Sequence, residues 1–222
     1  MPVGTSRVAL WLMPTPRHRE QIRAVIEGLA ATYSSYGHQV PVFEPHATLC
    51  TGTLPDGDLA ELSSQVDAFC ARQRQVVLAA SKGSIPRQRK GRWSQFLFIP
   101  FGMDGVPPEM RDIAALRSAF PVLRDPSLAT DAETGEVMPH VSLLYHDGPS
   151  DFPGIASEVG RNYVLPDPVV FDEVQVVMPR SGDWRDILSG QGPASSWDAV
   201  HTRSLAQATE TAANTSPGPR AR

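Results

Sequence analysis

Two pentapeptides of the form Pro-His-x-(Ser/Thr)-Leu occur far apart in this chain, as Pro45-His46-Ala47-Thr48-Leu49 and Pro139-His140-Val141-Ser142-Leu143. Alternate side chains of an extended strand point to the same face. His46 and Thr48 therefore share one face while Ala47 and Leu49 take the other, and His140/Ser142 and Val141/Leu143 divide in the same way. Each copy reads as a half-buried strand with chemistry on one side and core on the other. An unperturbed histidine titrates near ~6.5, so two imidazoles can supply a base and an acid near neutral pH. Two hydroxyls can donate hydrogen bonds to an anionic centre whose charge grows in a transition state. A base, an acid and an anion cradle suit phosphodiester hydrolysis.

The surrounding pattern says what positions these strands. Val8 to Leu12 predicts a buried strand, Thr15-Pro16 a helix start, and Ile22, Val25, Ile26 and Leu29 an amphipathic helix. Val40 to Phe43 leads into the first motif, and Leu59, Leu62, Val66 and Phe69 mark a second helix. Strands are predicted at Val76 to Ala80 and Phe96 to Phe101, flanking the polar, basic segment Ser81 to Arg92. A helix is predicted after Pro107-Pro108, burying Met110, Ile113, Ala114 and Leu116. A loop follows around Asp125 to Glu136, and Val169 to Val177 predicts a further strand.

Interleaved strands and helices with a repeated strand motif predict an α+β fold of two similar lobes. In that reading two antiparallel sheets with flanking helices face each other across a central cleft that holds both motifs. The expected domain is residues 1–188. Residues 189–222 turn rich in Gly, Ala, Ser, Thr and Pro and are expected to form a low-complexity tail, disordered from Ala206 to Arg222.

Composition narrows the function classes. The 222 residues, 41% of them hydrophobic, can bury a sizeable core. A net charge of -4 and a pI near 5.8 argue against a surface for duplex nucleic acid, leaving a small ligand or a single RNA end as partner. Met1 to Arg7 carries no basic-then-apolar leader, and no apolar run approaches the ~18 residues of a membrane span. A cytoplasmic monomer is the expectation. Cys50 and Cys70 lack the paired spacing of a zinc site, and core packing is the expectation for both. Even spacing nonetheless puts Cys50 on the His46/Thr48 face. No clustered carboxylates or His-x-x-x-His spacing flank the motifs, so neither metal nor cofactor is expected. His18, His38, His146 and His201 lack a hydroxyl two positions on and suit surface positions, although His146 adjoins the second motif.

The paired motifs resemble those of the two-histidine (2H) phosphoesterase superfamily. Phe43-Glu44-Pro45-His46 before the first dyad, Ser142-Leu143-Leu144-Tyr145 after the second and Ala9-Leu10-Trp11 in the first strand are similar to its cyclic phosphodiesterase branch. The resemblance implies metal-independent hydrolysis of a cyclic phosphate on ribose. The substrate would be a nucleoside 2',3'-cyclic phosphate, giving a 2'-phosphate, or ADP-ribose 1'',2''-cyclic phosphate. It also implies His140 as base toward water, His46 as acid toward the leaving oxygen, and Tyr145 as a phosphate or water contact. Strict alternation puts Tyr145 on the Val141/Leu143 face, so it is either a core residue or one reoriented by a bulge or the strand end.

Trp11 and Trp93 are candidates to stack on a nucleobase, or else core residues; Gln95, on the face of Trp93, could meet a ribose or phosphate. Lys82, Arg87, Arg89, Lys90 and Arg92 form the densest basic segment, either a solvated loop or a flap that attracts a phosphorylated ligand. Two other readings remain open: a 2H enzyme acting on 2'-5' linked RNA, and a nucleotide-binding module without turnover.

Overall fold

The computed structural model describes residues 4–34, 40, 42–81, 87–90, 93–130, 135–146, 155–180 and 197–206. It is an α+β structure built on a nine-stranded antiparallel sheet. Strand β1, Thr5–Pro14, buries Val8, Leu10 and Leu12 on one face. Thr15 follows, and Pro16 opens helix α1, Pro16–Ser34, where its fixed φ and missing N–H cost nothing. Ile22, Val25, Ile26, Leu29, Ala30 and Tyr33 recur at three- and four-residue steps and form the buried face. That helix packs on β1 and on a strand far along the chain, β7, His140–His146.

The first motif enters β2, Ala47–Pro55, which runs antiparallel to β1. A turn with Gly57 at φ +94°, a left-handed conformation that suits glycine, leads into α2, Leu59–Arg72, which buries Leu62, Val66, Phe69 and Cys70. Strand β3, Val76–Leu78, is followed by the hairpin of β4, Arg87–Lys90, and β5, Trp93–Pro100. The basic segment thus holds a strand where a loop was expected, and Lys82 and Arg92 lie outside the described residues.

The helix expected after Pro107-Pro108 is broken. A 3₁₀ turn at Pro108–Met110 precedes α3, Ile113–Ala119, because the Asp112 side chain accepts the Ala114 N–H and starts a new helix. The loop expected next contains a short strand, β6, Arg124–Ser127, paired with β2. Helix α4, Ile155–Asn162, was not foreseen, and β8, Val169–Pro179, lies beside β1.

Two expectations need correction. The boundary at residue 188 is too early: Trp197–Ser204 forms β9, which pairs with β8 along Glu173 to Pro179. Its polar residues suit an exposed edge strand, which is why composition alone reads as tail. Leu205 beyond it is buried, and Ala206 bridges to Arg74. The expected pair of separate sheets is one sheet, ordered β3-β8-β1-β2-β7-β5-β4, with β6 on β2 and β9 on β8. Its two halves meet where β2 and β7 pair at Ala47 and Val141. Separate sheets would leave backbone groups of both motif strands as open edges; the join pairs some of them with each other.

Each motif is followed by a β-bulge at the same place. Leu10 pairs with Cys50 and Trp11 with Thr48, leaving Leu49 over; Leu97 pairs with Leu144 and Phe98 with Ser142, leaving Leu143 over. An extra residue reverses the facing of everything beyond it. Leu49 and Cys50 are consecutively buried, as are Leu143 and Leu144. Cys50 therefore belongs to the core, as its expected core packing has it, and not to the His46/Thr48 face on which even spacing alone would put it.

Burial pushes the Cys50 thiol far up, and burial followed by the Asp67 carboxylate pushes the Cys70 thiol up to about 12. Neither is a thiolate at neutral pH. A disulfide reagent at pH 8 should find no fast-reacting thiol in the native protein and two in denaturant; rapid native modification would contradict this packing.

Candidate active site

The join of β2 and β7 brings the two dyads together. One step out from the Ala47–Val141 pair, the antiparallel register sets His46 opposite Ser142 and Thr48 opposite His140. Partners across a sheet project to the same face, so the four functional positions form a crossed quartet, each histidine beside the other strand's hydroxyl residue. His46 and Thr48 are half-buried; His140 and Ser142 are only 8% and 6% exposed.

Both imidazoles are oriented in the same way. His46 Nδ1 lies 2.7 Å from the Glu44 carbonyl oxygen, and His140 Nδ1 lies 2.8 Å from that of Met138. A carbonyl only accepts, so each Nδ1 carries the hydrogen and each Nε2 is the nitrogen that gains or loses a proton. The carbonyl that fixes each tautomer stands two residues before its own histidine. On the first motif, Arg23 of α1 forms an ion pair with the Glu44 side chain, tying the segment before His46 to that helix.

Each histidine also has an aromatic neighbour supplied by the partner strand of its dyad. Trp11, paired in register with Thr48, stacks on His46 at 3.7 Å between ring centroids and 11° between planes. Phe98, paired with Ser142, packs on His140 at 5.2 Å and 56°. Trp11, a candidate either to stack on a nucleobase or to pack in the core, has its ring on the imidazole. Its own neighbour is Trp197 of β9, at 5.7 Å and 52°.

The bulge at Leu143 decides the position of Tyr145. Beyond the bulge its side chain joins the His140/Ser142 face, and its hydroxyl lies 2.8 Å from Ser142 Oγ. The Tyr145 ring also packs on Phe43, 5.3 Å away in the segment leading to His46. It touches both motif segments. Trp93 and Gln95 belong to β5 at positions that alternate with Phe98; their side chains, like that of His146, lie outside the described residues. Phe98 and Trp197 were missed from the sequence. An aromatic residue in the strand beside the second motif, matching Trp11 beside the first, was the available signal for Phe98; the polar edge pattern of 197–204 hid Trp197.

Among the described residues no group of three His, Cys, Asp or Glu side chains could hold a metal ion, and no helix is long and apolar enough to cross a membrane. The arrangement can take a proton at one Nε2, give one at the other, and offer hydroxyl donors between them.

The α+β fold carries a His-x-(Ser/Thr) dyad on each of two antiparallel strands, as the resemblance to the two-histidine phosphoesterases implies. Residues 6–90, which include the first dyad, match the family model described as cyclic phosphodiesterase-like protein, bearing out the resemblance over that stretch. No curated protein matches the chain in sequence. Among solved structures, TT0787 of Thermus thermophilus aligns with a TM-score of 0.50 at 15% identity, covering 90% of this chain and 97% of that one. E. coli LigT complexed with 3'-AMP aligns at 0.47 and 17%, covering 91% and 99%. Kluyveromyces marxianus Usb1 aligns at 0.43 and 12%, covering 77% and 93%.

Replacing Tyr145 by Phe removes the partner of a buried Ser142 hydroxyl, which typically costs about 1 kcal/mol. Tyr145→Phe should lower the urea midpoint accordingly without changing the denaturant slope; an unchanged midpoint would remove this hydrogen bond from the site's support.

Proposed function

We propose that the protein hydrolyses ribose cyclic phosphates without a metal, the substrate being a nucleoside 2',3'-cyclic phosphate or ADP-ribose 1'',2''-cyclic phosphate. The observation that carries this reading is the crossed quartet in which matched Nδ1–carbonyl bonds give both histidines the same tautomer. His140 Nε2 takes a proton from water as the water oxygen bonds to phosphorus. The charge that builds on the non-bridging oxygens meets the Thr48 and Ser142 hydroxyls, with Tyr145 beside Ser142. As the phosphorus bond to the ribose oxygen breaks, His46 gives its Nε2 proton to that oxygen. For a nucleoside substrate the 3' oxygen leaves and the 2'-phosphate remains.

The surroundings of the histidines support this division. An imidazolium stacked on the Trp11 indole gains cation–π attraction of ~0.5–2 kcal/mol, which suits the acid. His140 is buried beside Phe98, where a neutral ring is less costly than a charged one, which suits the base.

Hydrolysis of the four nucleoside 2',3'-cyclic monophosphates in EDTA, followed by phosphorus NMR, tests the proposal. Ring opening should persist in chelator and give the 2'-phosphate. His46→Ala and His140→Ala should each lose on the order of 10²–10⁴ in kcat. Near-full activity in either variant would refute the paired-histidine mechanism. The kcat of the wild type should follow a bell-shaped pH profile, because one ring must be neutral and the other charged; a profile with a single limb would require only one titrating group.

A further inference from the structure

The C-terminal strand β9 does more than close a sheet edge. Trp197 stands at its start, paired in register with Pro179 of β8, and the Val200 bulge keeps Trp197 and Ala199 on the face that carries Trp11. From there Trp197 packs on Trp11, and Trp11 packs on His46. An indole stacked 3.7 Å from an imidazole limits the rotation of that ring about its side-chain bonds. The Nδ1–carbonyl bond alone fixes one point of the ring; a flat surface against it fixes the plane. Trp11 is itself only half-buried, so its own ring gains from a neighbour that holds it.

Strand β9 is firmly placed to provide that neighbour. Asp67 of α2 receives His201 at 3.0 Å and Arg203 at 3.7 Å on the helix side, Arg180 pairs with Asp198 at 2.7 Å, and Leu205 is buried. These anchors lie along the strand and across its helix-side face, so removing the Trp197 ring leaves them in place.

We infer that Trp197 is a positioning residue, which holds the Trp11 indole against His46 and so fixes the plane of that imidazole for proton transfer. The geometric part stands on the ring contacts; its effect on turnover rests on the hydrolytic reading given above. No contact of Trp197 with substrate is required.

The experiment uses the full chain as wild type, Trp197→Ala, Trp197→Phe, Trp11→Leu and the Trp11→Leu/Trp197→Ala double variant. Protons of the His46 ring, assigned by their loss in His46→Ala, lie over the indole and should be shifted upfield in the NMR spectrum. In Trp197→Ala that shift should shrink, and in Trp197→Phe it should be largely kept. With a 2',3'-cyclic nucleotide, Trp197→Ala should lower kcat roughly 3- to 10-fold with KM within about twofold, and phenylalanine should restore most of it. In the Trp11→Leu background the same change should have no further effect.

Unchanged His46 ring shifts in Trp197→Ala would overturn the inference even in a protein with no turnover. A raised KM with unaltered kcat, or a loss that persists without Trp11, would overturn it in favour of direct substrate contact. If the wild type opens no cyclic phosphate while the ring shifts respond as expected, the functional reading fails and the positioning of His46 stands.

Discussion

The site depends on the antiparallel contact between the two motif strands at Ala47 and Val141. Neither residue has chemistry of its own. Their small and β-branched side chains are fully buried and let the strands meet without a polar group in the core. Through that contact two short segments far apart in the chain become one surface, with each histidine beside the other's hydroxyl partner. Helix α1 packs on β1 and β7 and so touches both halves. Its Arg23 holds Glu44, whose carbonyl in turn orients His46.

The two halves follow one plan and differ in what surrounds each imidazole. Both have a tautomer-fixing carbonyl, a hydroxyl two residues on, a leucine bulge and an aromatic neighbour to the imidazole. The first half offers a half-buried ring stacked flat on indole; the second buries its ring beside a tilted phenylalanine. Similar backbones thus give the two imidazoles unlike surroundings, and the proposed division of proton transfer rests on that contrast.

Much of this was legible in the sequence because it rests on local pattern. The alternation within each pentapeptide, the spacing from Ile22 to Leu29 and the run from Val169 to Val177 all correspond to elements of the fold. The bulges were not legible, since nothing in Thr48-Leu49-Cys50 says which residue loses its cross-strand partner. That single uncertainty set the alternation for Cys50 against its core packing and left Tyr145 between two faces. The join of the halves was hidden because pairing across the chain is decided by packing rather than by either strand alone. Strand β9 was hidden because an edge strand with one wet face carries little apolar signal, and its length from Trp197 to Ser204 sits within a stretch that composition marks as tail.

The Nδ1 bonds reach only two residues back along the chain, from His46 to Glu44 and from His140 to Met138. Control of the tautomer is therefore written inside the three residues that end at each histidine rather than into the surrounding fold. Such a segment is a portable part: placed twice on facing strands of an unrelated antiparallel sheet, with the same register, it would bring its own proton arrangement with it. What the host would still have to supply is the pair of aromatic surfaces that make one ring differ from the other.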